Sequence, residues 1–388
     1  MNILLQAYAC SPEKGGEFAV SWGWLAHLDS MVSDNDRIYV VSDSLTEAHI
    51  CYLRHVQILK VNYPIKLYKM LRHTRLWYVL WQRFAYYSAI KSGVHFDIVH
   101  VYSLSDYRRV GIWYKLTNAY TILGPVGGGQ SCPKSLLCYD DKSHYYRDLV
   151  NFYCKYSIVY NTKIRRYSKV YACNYETADY LPESIILPDV PLNDKMMKLD
   201  IKKTERNVVT ILYCGRLINK KGLMLLLDAV KLIPKSLPFE VLVYGEGDQK
   251  KDLLDRVKQL ELCDKIFFKG HVPYGKMSQV YENADIFVLP SLRESGGSVL
   301  IEAMAHALPI VSLKMALSRL LEEHNTGLFV DTELDKEDII KSFSDNLVTL
   351  ILDKELRQKL GRNGYEYVNE KFTWDTMVRE VYGTLLNQ

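Results

Sequence analysis

"ADIFVLPSLRESGGSVLIEAMAHALPIV", residues 284–311, decides the fold. It opens with a short apolar run closed by Pro290, the pattern of a strand covered on both faces. A Gly-Gly-Ser turn leads into an apolar helix, and a second apolar run, "LPIV", ends the stretch. Strand, turn, helix and strand over about thirty residues make the βαβ unit of a parallel sheet. Two glutamates bracket the turn, and the second, Glu302, falls within the apolar helix. A carboxylate near an apolar interior is costly unless it finds a partner.

The same rhythm extends in both directions. "VVTILYCG", "FEVLVYG" and "KIFFKG" read as strands separated by the helical segments "GLMLLLDAVKLI" and "QKKDLLDRVKQL". The N-terminal half repeats the pattern with "NILLQAYA", "RIYVVSD", "DIVHVYS" and "AYTILGP" around the helical "FAVSWGWLAHLDSMV". Between the halves lies "LPESIILPDVPLNDK", whose Pro and Asp content marks a linker. A chain of 388 residues exceeds one ordinary core. The prediction is an α/β protein with two doubly wound, Rossmann-like domains.

Composition narrows the function classes. With 48% hydrophobic and 24% charged residues the chain is globular, and a net charge of +4 is too small to argue for nucleic acid. The basic character is concentrated early: residues 1–193 hold 21 Lys+Arg against 16 Asp+Glu. Eight cysteines are scattered without a C-x-x-C, so no zinc site or disulfide framework is expected, and the thiols read as reduced and cytosolic. The N-terminal "MNILLQAYACS" lacks the basic region of a signal peptide, and no run is long enough to span a bilayer.

Three loops at the carboxyl ends of predicted strands carry the chemistry. In "CGRLINKKG", Arg216 and Lys221 flank a turn beside a helix start, where two cations suit a diphosphate. In the opening stretch, Gly296 and Gly297 let the backbone approach a ligand, and the N–H groups of Ser298 and Val299 begin a helix, an anion-binding arrangement. Glu302 can accept hydrogen bonds from vicinal hydroxyls, and Glu294 can reach a second hydroxylated group. The alternative is that both carboxylates simply pair with basic neighbours. "SPEKGGEF" places Gly15 and Gly16 between a strand and a helix of the other domain, and "GPVGGGQ" is a further glycine-rich loop. Each reads equally as an ordinary connection; together they point to a ligand gripped across a cleft.

These residues resemble the retaining glycosyltransferases of family 4, with the GT-B fold. The match runs in order through "YCGRLINKKG", "YGEGD", "FFKGHVP", "YENADIFVLPSLRES", "VLIEAMAHALPIV" and "TGLFV", roughly residues 207–331, and includes the E-x7-E pair Glu294 and Glu302. "AYACSPEKGGEFAVSWGWL" and "GPVGGG" resemble a subset of the family common among surface-polysaccharide enzymes. The resemblance implies two Rossmann-like domains facing across a cleft: residues 1–190 binding the acceptor, 191–371 binding a nucleotide sugar, and a C-terminal helix within 372–388 returning to the N-terminal domain.

It further implies that Arg216 and Lys221 neutralise the donor diphosphate and that Glu294 contacts the donor sugar. Glu302 would hold the ribose, with Gly297, Ser298 and Val299 offering backbone N–H groups. Gly270 and His271 would lie near the base, and Gly15 and Gly16 would close on the phosphate from the other domain. The donor is UDP- or GDP-linked, the acceptor a glycan or lipid-linked glycan, and neither cofactor nor metal is expected. Two departures stand out. A family histidine after the strand "AYTILGP" is replaced by "GPVGGG", and the usual glycine of "EAMAxGxP" is Ala307. His100, at a strand end, reads as a core histidine.

Residues 68–92, "YKMLRHTRLWYVLWQRFAYYSAIKS", interleave cations with Trp and Tyr. The pattern fits either peripheral contact with a cytoplasmic membrane face or an amphipathic helix packed on the sheet. Two other function classes fit the sequence less well. A dinucleotide oxidoreductase requires G-x-G-x-x-G, whereas "GEGDQK" has Lys250 at the third glycine. A non-catalytic sugar-binding protein has no need of the complete set Arg216, Lys221, Glu294 and Glu302.

Overall fold

Every strand pairing in the two large sheets is parallel. The computed structural model describes residues 1–14, 16–102, 106–141, 144–192 and 207–386. It divides into two units: residues 1–129, 149–190 and 374–388 form the first, and 130–148 with 191–373 the second.

The first unit holds β1 (Asn2–Gln6), β2 (Ala9–Cys10), β3 (Arg37–Val41), β4 (Ser44–Leu45), β5 (Val56–Ile58), β6 (Ile98–Val101), β7 (Tyr120–Val126), β8 (Lys169–Ala172) and β9 (Ile185–Ile186). Seven of them form one sheet in the order β5-β3-β1-β6-β7-β8-β9, and β2 pairs with β4. Alternate residues of each strand enter different cores. Ile3 and Leu5 join Trp24, Trp374 and Tyr382 on one face, and Leu4 joins Trp77, Trp81 and Trp113 on the other. The helix Trp374–Leu386 belongs to this unit, where Trp24 and Trp374 meet edge to face at 5.8 Å. A side chain at Gly23 would place its Cβ 1.9 Å from the Trp374 ring, so a glycine lets this helix dock.

The second unit holds β10 (Val209–Cys214), β11 (Phe239–Tyr244), β12 (Ile266–Gly270), β13 (Ile286–Leu289), β14 (Ile310–Leu313) and β15 (Gly327–Val330). Their order is β12-β11-β10-β13-β14-β15. In each unit the first strand lies centrally and the chain winds out both ways from it. Such sheets have a switch point between the first strand and the neighbour on its other side, where loops diverge and ligands bind. In the second unit this lies between β10 and β13, with Ile211 paired to Ile286.

Residues 130–148, expected in the N-terminal domain, cluster instead with the second unit. Cys132 and Leu136 are buried in its core with Leu225, Leu226 and Val230. The stretch 68–92 forms the helices Ile65–Leu71 and Arg75–Lys91. Trp77, Tyr78, Trp81 and Tyr86 are buried against the sheet, as the packed-helix reading expects, while Tyr87 is 55% exposed. Among the described residues, no helix is long and apolar enough to cross a membrane.

Candidate functional site

The two loops at the second unit's switch point are built to meet. After β10 the chain passes Gly215 and Arg216, makes a 3-10 turn over Asn219–Lys221, and enters a helix through Gly222. Gly222 has φ 69°, and a Cβ there would lie 2.0 Å from the Pro290 carbonyl. The absent side chain therefore lets the loop after β13 lie directly against the turn. The Leu292 N–H donates to the Lys220 carbonyl at 2.9 Å, which fixes the two backbones together.

Charge gathers on this junction. The Lys221 ammonium forms a short ion pair with the Glu294 carboxylate, both only 16% exposed. Ser291 Oγ donates to the same oxygen at 3.1 Å, and the Ser295 N–H to the other at 3.3 Å. Arg293 pairs with Asp140 at 3.0 Å and with Asp141 at 3.6 Å. Burial holds the Lys220 ammonium below its ordinary range, and Arg216, Lys221 and Arg293 push it the same way against the pull of Glu294. Four cations thus crowd one edge of the sheet closely enough to oppose each other's charge, an arrangement that an anion relieves.

Glu302 lies one turn into the helix Ser298–Ala305, which Gly297 begins at φ 63° without a side-chain cap. The Tyr281 hydroxyl donates to its carboxylate at 2.7 Å, and Tyr274 donates as well. Burial raises its carboxyl above the ordinary value, and these two hydrogen bonds counter the rise. His306 stacks on Tyr281 with ring centroids 5.1 Å apart, and its Nδ1–H donates to the Glu302 carbonyl at 2.7 Å. The ring therefore ties Tyr281 to the end of the helix.

The expected residues fall into separate groups. Lys221 and Glu294 are bonded, with Arg216 close by. Glu302 belongs to a second group, beside Cys214 at the end of β10. Gly297, Ser298 and Val299 lie between them in the chain and form the first turn of the helix carrying Glu302. Gly270, at φ 77°, ends β12; a Cβ there would lie 3.2 Å from Glu246. His271 is exposed, three residues before Tyr274. Gly16 stands before the helix Glu17–Met31 of the first unit, and Gly15 lies outside the described residues.

In the glycine-rich 124–130 loop, a Cβ on Gly129 would lie 2.4 Å from the Glu176 carbonyl, so this glycine serves packing. His100 is buried in the first unit, and burial lowers its imidazole to about 4. Ala307 adopts φ 50°, a left-handed conformation that favours glycine.

Lys220, Tyr274, Tyr281, Ser291, Arg293 and Asp140 were not read as site residues from the sequence. The doubled lysine of "NKKG" was a signal for Lys220. Tyr281 opens the matching run "YENADIFVLPSLRES", though its bond to Glu302 was not legible there, and nothing local marked Asp140, which reaches the site only through tertiary packing.

Comparison with known proteins supplies an independent reading. Residues 197–367 match the family model of glycosyl transferases group 1. The mannosylfructose-phosphate synthase of Agrobacterium fabrum is 31% identical over 181 residues, covering 44% of this chain and 39% of that protein. The capsular polysaccharide biosynthesis glycosyltransferase CapM of Staphylococcus aureus is 28% identical over 209 residues, covering 50% of this chain and 51% of that protein. The chain spans about half or less of the length of the curated relatives it matches. Among solved structures, HepE of Anabaena in complex with UDP and glucose superposes with a TM-score of 0.62 at 15% identity, covering 100% of both chains.

Proposed function

We propose that this chain, which carries a glycosyl transferases group 1 domain at residues 197–367 on a GT-B fold, transfers a sugar from a UDP- or GDP-linked donor to a glycan or lipid-linked glycan of a surface polysaccharide. The observation that carries this reading is the convergence of Arg216, Lys220, Lys221 and Arg293 at the β10/β13 switch point, where burial first and the neighbouring cations second lower Lys220. Such a site has its positive charge in place before a diphosphate arrives, so little reorganisation is needed when the anion forms. The UDP and glucose held by HepE and the capsular role in the name of CapM support the donor and acceptor classes.

In the proposed reaction the bond from the anomeric carbon to the terminal phosphate oxygen breaks, and its electron pair stays on that oxygen. Arg216 and Lys221 stabilise the charge that develops there. The acceptor hydroxyl bonds to the anomeric carbon on the face the diphosphate leaves, retaining configuration, and its proton passes to the phosphate oxygen. Glu294 holds Lys221 in place and contacts the donor sugar. Glu302 accepts the ribose hydroxyls. The cations supply the positive charge that a divalent metal brings to other diphosphate sites, so EDTA should leave turnover unchanged.

A screen for slow hydrolysis of nucleotide sugars, paired with calorimetric titration of UDP and GDP, tests this without knowledge of the acceptor. One of the two nucleotides should bind and its sugar conjugate should be cleaved. Binding of neither, together with tight binding of NAD, would sink the reading.

A further inference from the structure

The first unit exposes an apolar face that no core requires. In its part of the helix His144–Tyr156, residues 149–156, Val150, Asn151 and Cys154 point inward. Leu149, Phe152, Tyr153 and Tyr156 point outward and are 63–66% exposed. Their spacing of three, four and seven residues makes a continuous stripe, so this helix turns its more apolar side to solvent. The stripe continues into the next helix, Ile158–Ile164, which Ser157 caps at the turn; Ile158 is 81% and Val159 64% exposed. Soluble proteins scatter such side chains singly, and a contiguous set marks a contact surface.

The charge around this face selects its occupant. Residues 149–170 contain five cations and no carboxylate, with Asp148 just before them on the helix. Lys155, Arg166 and Lys169 lie over the rings of Tyr180, Tyr114 and Tyr171, so Lys163 and Arg165 are the cations without such a ring contact among the described residues. Two copies pressed face to face would bring these cations together, which disfavours self-association. Tyrosines with apolar bodies and polar tips, beside aliphatic residues and cations, match the headgroup level of an anionic bilayer. There the rings sit at the interface, the aliphatic groups enter the acyl boundary, and lysine and arginine meet lipid phosphates. We propose that the surface formed by Leu149–Val159 and the cations that follow it docks this protein on an anionic lipid bilayer. The contact differs from the one expected at 68–92, and it does not depend on the transferase reading.

Co-sedimentation of the full chain with phosphatidylcholine vesicles, with and without phosphatidylglycerol, tests the proposal. The protein should pellet with the anionic vesicles in low salt and be released by high salt. The triple variant Phe152→Ser/Tyr153→Ser/Ile158→Ser should lower vesicle partitioning roughly a hundredfold. The pair Lys163→Glu/Arg165→Glu should lower it at least about tenfold and flatten the salt dependence. Both should keep the unfolding temperature of the parent, since the altered side chains are not in a core; if the triple variant does not fold, the charge pair decides. The proposal is overturned if the parent ignores anionic vesicles or if the variants bind as it does. It is overturned equally if sedimentation velocity finds a dimer that the triple variant dissolves while neither protein binds vesicles.

Discussion

Each unit buries a histidine against a tyrosine, and the two pairs end differently. In the first unit, His100 on β6 donates from Nε2 to the Gly124 carbonyl, which can only accept. Its Nδ1 therefore accepts from the Tyr382 hydroxyl, 2.6 Å away. Trp24 covers the ring edge to face at 5.4 Å. Every polar atom of the imidazole is satisfied without a charge. In the second unit, His306 and Tyr281 lead to the Glu302 carboxylate, whose two oxygens offer about four acceptor sites. Tyr281 and Tyr274 use part of that capacity. A closed neutral network anchors a helix; a network that ends on a buried carboxylate keeps acceptor capacity for a further donor.

Breaking the closed network should have the largest effect. His100→Phe keeps the volume but strands the Gly124 carbonyl and the Tyr382 hydroxyl, at a cost of about 3 kcal/mol in denaturant unfolding. Adding Tyr382→Phe should recover part of that loss, because one orphaned group is removed. Its pH signature is separate. The folded imidazole is lowered from 6.5 to about 4, so its stabilisation is present above 6.5 and lost as pH falls through about 4. The acid limb of wild-type stability in that window should flatten in His100→Phe; an unchanged limb would assign it to other groups.

In the second unit the larger effects should appear in ligand binding and turnover, beginning with the Lys221–Glu294 pair beside the histidine network. Lys221→Ala should lower donor turnover by about a hundredfold, the scale of one removed charge-stabilising donor, with a smaller change in UDP affinity. Equal losses in both would make Lys221 a binding group only. A milder perturbation is Tyr281→Phe, which removes one hydrogen bond to Glu302 and should weaken calorimetric UDP binding about fivefold. Losing that bond also lets the carboxyl rise further, so the acid-side midpoint of binding should move to higher pH. For folding the sign is the reverse of His100. A raised Glu302 gives stability that is present below its ordinary value near 4.5 and lost as pH rises through the folded value, a fall that Glu302→Gln should remove. The smallest effect is a gain: Ala307→Gly, next to His306, relieves a left-handed alanine and should stabilise by about 1 kcal/mol.

Much of the architecture was legible because strands and helices are written in consecutive residues. The run "ADIFVLP" became β13, "VVTILYCG" became β10, and "SVLIEAMAHA" became the helix Ser298–Ala305. Composition was a weaker guide. The helix Arg75–Lys91 and the face formed by 149–159 both mix cations with aromatic residues. The first buries Trp77 and Trp81, while the second exposes Phe152, Tyr153 and Tyr156. Residue content is similar; the difference is which side of each helix the sheet covers.

Periodicity and motif order are local properties, and they were enough for the parallel α/β alternation, the two-unit plan and the candidacy of Arg216, Lys221, Glu294 and Glu302. Tertiary structure alone decided that Lys221 bonds Glu294 across 73 residues, that Asp140 reaches Arg293, and that Tyr281 holds Glu302. It also decided that residues 130–148 join the second core. The physical reason is that ion pairing and burial depend on distance in space, and strand order brings together residues whose separation along the chain carries no sign of it.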